Sequence, residues 1–244
     1  MFRSLFSAMA LGLIATAVST PVLGAPFRTP DLDAARTWEI KPSYRWASDG
    51  FNRETGYEMD ITAPIRPGLE TSITFGSGTF KAQGEKAVSG AVDSEWAVKW
   101  EIRPAGEGDG FGITTEPTLI IPTGSAGFTD DQWALEVPVI FGWNRGRYSY
   151  QAMVSYGQGF DDAAGEIGAN GLIMWKATDT LKLGVELATA APSDHPGAYE
   201  SELNLGFKWE FVEGLELKAR IGQSLHREEG GHETSGAFYL EKAF

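Results

Sequence analysis

Apolar and polar side chains alternate along most of this chain. In "TWEIKPSYRW", Trp38, Ile40, Tyr44 and Trp46 share one face, while Glu39, Lys41, Ser43 and Arg45 share the other. "YEMDITAPI" sets Tyr57, Met59, Ile61 and Ile65 against Glu58, Asp60 and Thr62. "EWAVKWEIR", "QWALEVPVIFGW", "LKLGVEL", "ELNLGFKWEF" and "LELKARIGQSL" repeat the pattern. A period of two places successive side chains on opposite faces of a strand. Twelve segments carry it: 37–47, 56–65, 69–80, 94–103, 110–121, 132–143, 147–157, 166–176, 180–190, 199–211, 215–225 and 234–244.

The connections alternate too. Short turns such as "RPG", "NRG" and "VEG" are followed by longer polar loops such as "SDGFNRETG", "KAQGEKAVSGAVD" and "TGSAGFTDD". All are rich in turn-forming residues. Segments of 10 to 12 residues suit a tilted membrane strand better than a soluble one, which is nearer 5 or 6. Aromatic residues sit toward segment ends, as with Trp38, Trp46, Trp133, Trp143, Tyr148 and Tyr156. Such placement matches the interface girdles of membrane barrels. The expected fold is all-β: a 12-stranded antiparallel up-and-down transmembrane β-barrel over residues 37–244, with its apolar face toward lipid. Pro42, Pro117 and Pro138 fall inside segments, and each removes a ladder donor. A local break or bulge is expected at each.

The chain opens with Arg3, the apolar run "LFSAMALGLIATAV" and the small residues of "PVLGA". This is the plan of a secretory signal peptide, 1–24, cleaved after Gly24. The exported product is expected in the outer membrane, with 25–36 as a periplasmic N-terminal segment ahead of the barrel, either disordered or capping the lumen, and both barrel termini on the periplasmic side. At the other end, "GAFYLEKAF" stops on Phe244. A terminal Phe preceded by alternating apolar residues resembles the signal read by the outer-membrane barrel assembly machinery, the expected partner of the last strand. Lys242 departs from that signal, and a lysine at the interface can snorkel.

Charge then restricts the function. The chain has 244 residues, a net charge of -13 and no cysteine. Absence of cysteine excludes thiolate chemistry and disulfides. Strong acidity excludes nucleic acid as a partner, because phosphate neutralisation needs a basic face. No cofactor is expected. Outer-membrane lipid and a small solute remain as the expected contacts. On the polar, lumen-facing side the expected permeation residues are Glu116, Glu136, Glu186, Glu202, Lys99, Lys218 and Arg220, near mid-height. They form either a charged constriction leaning toward cations or mutually paired charges that fill a narrow lumen.

Hydrolytic chemistry needs a nucleophile within reach of a base. Ser224 and His226 share a strand face, but "SLH" reverses the His–Ser order of the outer-membrane phospholipases, and no Asn follows. "HREEGGH" holds His226, Glu228, Glu229 and His232, a metal-like spacing that Gly230 and Gly231 leave unconstrained. Catalytic and metal residues are therefore not nominated. A lipid-modifying barrel and a structural or binding barrel acting through acidic extracellular loops stand as alternatives to a channel.

One stretch resembles a known family. "WAVKWEIRPAGEGDGFGITTEPTLIIPTG", ending in Pro122-Thr123-Gly124, and the following "VIFGWNRGRYSYQAMVSYG" resemble outer-membrane proteins labelled "MetA-pathway of phenol degradation". The resemblance implies a transporter-like barrel for uptake or efflux of small compounds, aromatic ones among them. It transfers no binding residue.

Overall fold

The computed structural model describes residues 27–105, 109–162, 164–227 and 231–244. Residues 1–26, which hold the expected signal peptide, lie outside this set. The described residues form strands β1 (Glu39–Ser48), β2 (Asn52–Arg66), β3 (Leu69–Ala82), β4 (Val88–Ala91), β5 (Ser94–Arg103), β6 (Gly110–Thr115) and β7 (Thr118–Ile121). These are followed by β8 (Ala134–Arg145), β9 (Tyr148–Gly159), β10 (Glu166–Lys176), β11 (Leu181–Pro192), β12 (Glu200–Val212), β13 (Leu215–His226) and β14 (Thr234–Ala243). Strand β5 continues β4, and β7 continues β6. The fourteen segments therefore make twelve antiparallel barrel strands, closed by pairing of β1 with β14.

Closure satisfies the end of the chain. Glu39 lies opposite Ala243, and the Phe244 amide donates to the Trp38 carbonyl at 3.0 Å. Both barrel termini share the rim that carries the tight turns 67–68, 146–147 and 213–214. We call this the turn rim and the opposite end the loop rim. Gly68 and Gly214 take φ of 75° and 68° in those turns, a region that excludes most side chains.

The period-two pattern is realised inside out relative to a soluble barrel. Trp38, Ile73, Trp96, Trp143, Val185, Leu205, Ile221 and Phe238 point outward and are exposed. Lys41, Asp60, Glu70, Lys99, Glu186, Asn204, Lys218 and Arg220 point inward and are buried. Such a wall places apolar atoms in hydrocarbon and polar atoms around a lumen.

Two local features differ from the sequence expectation. The first loop is only residues 49–51, because β2 begins at Asn52 and pairs as far as Ser48–Arg53. Alternation of apolar residues stops where the lipid stops, whereas the hydrogen-bond ladder runs on through polar residues. Asp49 Oδ1 then accepts the Phe51 and Asn52 amides and closes the turn. Likewise β4 lies within a stretch expected to be loop and pairs with the upper half of β3.

The prolines act as expected. Pro117 sits between β6 and β7, and Pro138 lies opposite that gap, since Thr115 pairs with Val139 and Thr118 with Glu136. Side chain and backbone fill in: Thr115 Oγ1 donates to the Pro138 carbonyl at 2.7 Å, and the Val98 amide to the Pro117 carbonyl at 3.0 Å. At Pro42 the β1–β14 pairing skips from Ile40 to Ser43 without changing register.

The inside-out wall is testable at its middle. Leu205, outward between Val185 and Ile221, is 51% exposed. Leu205→Arg is expected to cost about 2–4 kcal/mol in reversible folding into lipid vesicles, read by urea titration. The same change in a soluble barrel's water-facing wall would cost almost nothing.

Candidate functional site

Residues 27–36 do not stand apart from the barrel. They form a strap inside it. The strap spans opposite walls: the Ala34 amide donates to Glu101 on β5 at 2.7 Å, and the Ala35 amide to Glu70 on β3. Near the other end, the Arg28 and Thr29 amides donate to the two oxygens of Glu186 on β11 at 2.9 and 2.7 Å. Between them Asp31 bonds Lys208 on β12 and lies 3.2 Å from Lys218 on β13. Thr114 Oγ1 donates to the Leu32 carbonyl at 2.5 Å. An irregular segment cannot satisfy its own amides, so wall carboxylates do so.

Apolar contacts hold the strap as well. Leu32 packs with Ala105, Ile140 and Met153, and Phe27 with Leu172 and Met174. Space is made by missing side chains: a Cβ at Gly184 would fall 2.5 Å from the Phe27 ring, and one at Gly206 2.9 Å from it. Gly142 does the same for Leu32, whose side chain occupies the place of its absent Cβ.

The seven residues nominated from sequence all line the interior. Six are buried, and Glu136 is half-buried. They form separate groups. Lys99 lies 3.3 Å from both Glu70 and Glu116. Lys218 is shared by Asp31, Glu216 and Glu241, the last at 2.7 Å. Arg220 binds Asn204 at 2.6 Å and Glu202 at 3.3 Å, and Glu202 also receives Arg28 at 2.7 Å. Glu186 serves the strap and Asn204. The expected common level near mid-height does not hold. Glu202 is two residues from the loop-rim start of β12, and Lys218 three from the turn-rim start of β13. Counted along their strands, the two lie toward opposite rims.

Toward the loop rim the lumen holds a cavity of about 120 Å³. Glu136, Glu166, Glu200, Glu202 and Glu233 line it together with Arg28 and Arg227. Acids outnumber bases there, and His226 is at its edge. Ser224 and His226 are not arranged as nucleophile and base. Ser224 Oγ accepts the Glu233 amide at 2.7 Å, and the His226 ring stacks on Tyr199 at 4.3 Å. Glu228, Glu229 and Gly230 of the metal-like spacing lie outside the described residues. In the loop before β8, burial together with Asp93, Asp162 and Asp131 pushes the Asp130 carboxyl above its ordinary pKa.

Sequence reasoning missed the strap's own contribution: Phe27, Arg28, Asp31 and Leu32. A signal existed. "VIF" at 139–141 and "LIMW" at 172–175 are apolar on both faces, which a lipid-facing strand beside a wet lumen does not need. Those inward positions, Ile140, Leu172 and Met174, are the strap's sockets.

The strap's hold on the lysines is open to measurement. Asp31→Asn leaves Lys208 without an ion-paired carboxylate among the described residues. A charge-assisted hydrogen bond contributes about 1.5–3 kcal/mol, and Asp31 is part-exposed. Amide exchange over residues 28–35 is expected to speed up by about tenfold, read by mass spectrometry, with exchange in the strands unchanged.

No protein-family model matches the chain, and no curated protein matches it. Solved structures do. The COG4313 outer membrane channel from Pseudomonas putida F1 superposes with a TM-score of 0.69 at 12% identity, over 88% of this chain and 99% of that one. The KdgM porin in complex with disordered oligogalacturonate gives 0.57 at 13% identity, over 84% and 99%. The NanC porin gives 0.58 at 8% identity, over 85% and 100%. The fold is that of outer-membrane β-barrels, and the outer membrane is where this chain resides.

Proposed function

We propose that this protein is an outer-membrane channel for small solutes whose lumen is closed at rest by its own N-terminal strap. The observation that carries the proposal is a polar lumen crossed by ten residues that are bonded to the wall but contained in no strand. A wall built only for stability could pair its carboxylates with its own lysines. Here Glu101 and Glu186 accept backbone amides of the strap instead, and Glu70 accepts one alongside its pairing with Lys99. The channels and porins among its structural neighbours, and the resemblance to the phenol-degradation family, support the same direction. The turn rim faces the periplasm, since short turns lie there in such barrels, and Phe244 presents the last strand to the assembly machinery. The acid-rich cavity at the loop rim favours cations, and aromatic compounds are the solutes that the family resemblance adds.

Single-channel recording of the refolded mature chain tests this. Small conductance is expected from the intact chain, and a severalfold larger one when residues 27–36 are removed. Under a salt gradient the open form should prefer cations, and Glu136→Gln should move the reversal potential toward zero. Glu136 is the informative site because, unlike Glu116, it makes no salt bridge among the described residues. A folded, inserted, strap-free barrel that carries no current would overturn the proposal.

A further inference from the structure

The strap's first residues are held as a ligand would be. Phe27 is 1% exposed, its ring seated over the cross-strand pair Gly184–Gly206 against Leu172 and Met174. Immediately beside the ring, Glu186 is fully buried and takes the Arg28 and Thr29 amides on its two oxygens. Arg28 then reaches Glu202 through Nε at 2.7 Å. An aromatic ring, adjacent N–H donors and a cation are thus each matched by a built feature of the wall.

Withdrawal of the strap defines what the site would then require. Glu186 would keep only the Asn204 amide, at 3.1 Å, among its described partners. Glu202 would keep Arg220 and Ser235. Two carboxylates would face a single guanidinium, and Arg220 is already committed to Asn204 at 2.6 Å. A buried carboxylate that loses most of its donors is disfavoured. The emptied socket would also expose an apolar floor where two side chains are absent. One class of compound answers both needs: an aryl group bearing a cationic N–H donor.

We propose that the Gly184–Gly206 socket and the Glu186 carboxylate form a lumenal binding site for arylalkylammonium compounds, which residues 27–29 occupy in cis and such a compound occupies in exchange for the strap. The proposal rests on the channel reading for the strap's withdrawal, and it deepens that reading by naming the solute class. Access comes from the loop rim, because the acid-lined cavity there has Arg28 and Glu202 in its wall. A cation collected by Glu166, Glu200 and Glu233 would meet the Arg28–Glu202 pair first.

The chain has no cysteine, so Thr29→Cys gives a single reporter at a position 2% exposed. In the full chain folded in micelles, a water-soluble maleimide should label Cys slowly at position 29. Phenethylammonium should accelerate labelling about fivefold or more by shifting the strap to its released state. Phenylacetate, which has the ring without the cation, and butylammonium, which has the cation without the ring, should leave the rate unchanged. Glu186→Gln in the same background should remove the acceleration. Equal effects from all three compounds, no effect from phenethylammonium, or acceleration that survives Glu186→Gln would overturn the site. Conductance of the same samples separates the two proposals. Current without accelerated labelling keeps the channel and rejects the site, whereas acceleration in a silent barrel keeps the site and rejects the channel.

Discussion

Hydrocarbon offers no partner to a backbone N–H or C=O, so a strand wall in a membrane has to close on itself. Every other feature of this structure depends on that constraint. The β1–β14 seam supplies closure and uses the chain to its last residue, down to the Phe244 amide on the Trp38 carbonyl. Once the wall is closed, its two faces meet different media, and period-two alternation distributes side chains between them. Pro42, Pro117 and Pro138 coincide with breaks in the ladder. Pro117 and Pro138 share one gap rather than opening two.

Closure also concentrates charge. Polar residues sent inward from twelve strands face each other across a narrow space, where unpaired charge is costly. The wall lysines and Arg220 answer part of this, in the groups around Glu70, Glu241 and Glu202. The strap answers a further part, as both acid and donor. Asp31 serves two lysines, and the backbone amides of Arg28, Thr29, Ala34 and Ala35 serve three glutamates. Its hydrophobic residues, Phe27 and Leu32, fill two places where the inner wall offers apolar side chains around a glycine. Wall and strap are therefore complementary in shape as well as in charge.

Strand number, order and facing were legible in the sequence because each side chain's face follows from period two alone. The expected inward charges, Lys99, Glu116, Glu186, Glu202, Lys218 and Arg220 among them, do line the interior. Their expected common height did not hold, because Glu202 and Lys218 lie toward opposite ends of their strands. Strand ends above the lipid were also hidden: Arg53, Glu54 and Thr55 carry no apolar rhythm, yet they pair with β3. The strap stood out only as a stretch outside the strand pattern, disordered or lumen-capping, because "PFRTPDLDAAR" has no periodicity of its own to fix its partners. Its position is written in its partners, where Ile140, Leu172 and Met174 interrupt alternation in strands 100 or more residues away.

Strand β4 stands apart from the closed wall in one respect: it pairs with β3 on one side only, along Val88–Ala91. An unpaired strand edge above the membrane is a template for pairing with a neighbouring molecule. The loop before β8 covers it. The Ser125 amide donates to the Ala91 carbonyl at 2.9 Å, Ser125 Oγ accepts the Ala91 amide at 3.0 Å, and Phe128 lies against Gly78 and Gly90. That loop is thus a guard against edge-to-edge adhesion in a crowded bilayer. Ser125 and Phe128 are committed to β4 and β3 by these contacts, unlike the side chains of a loop that meets only solvent.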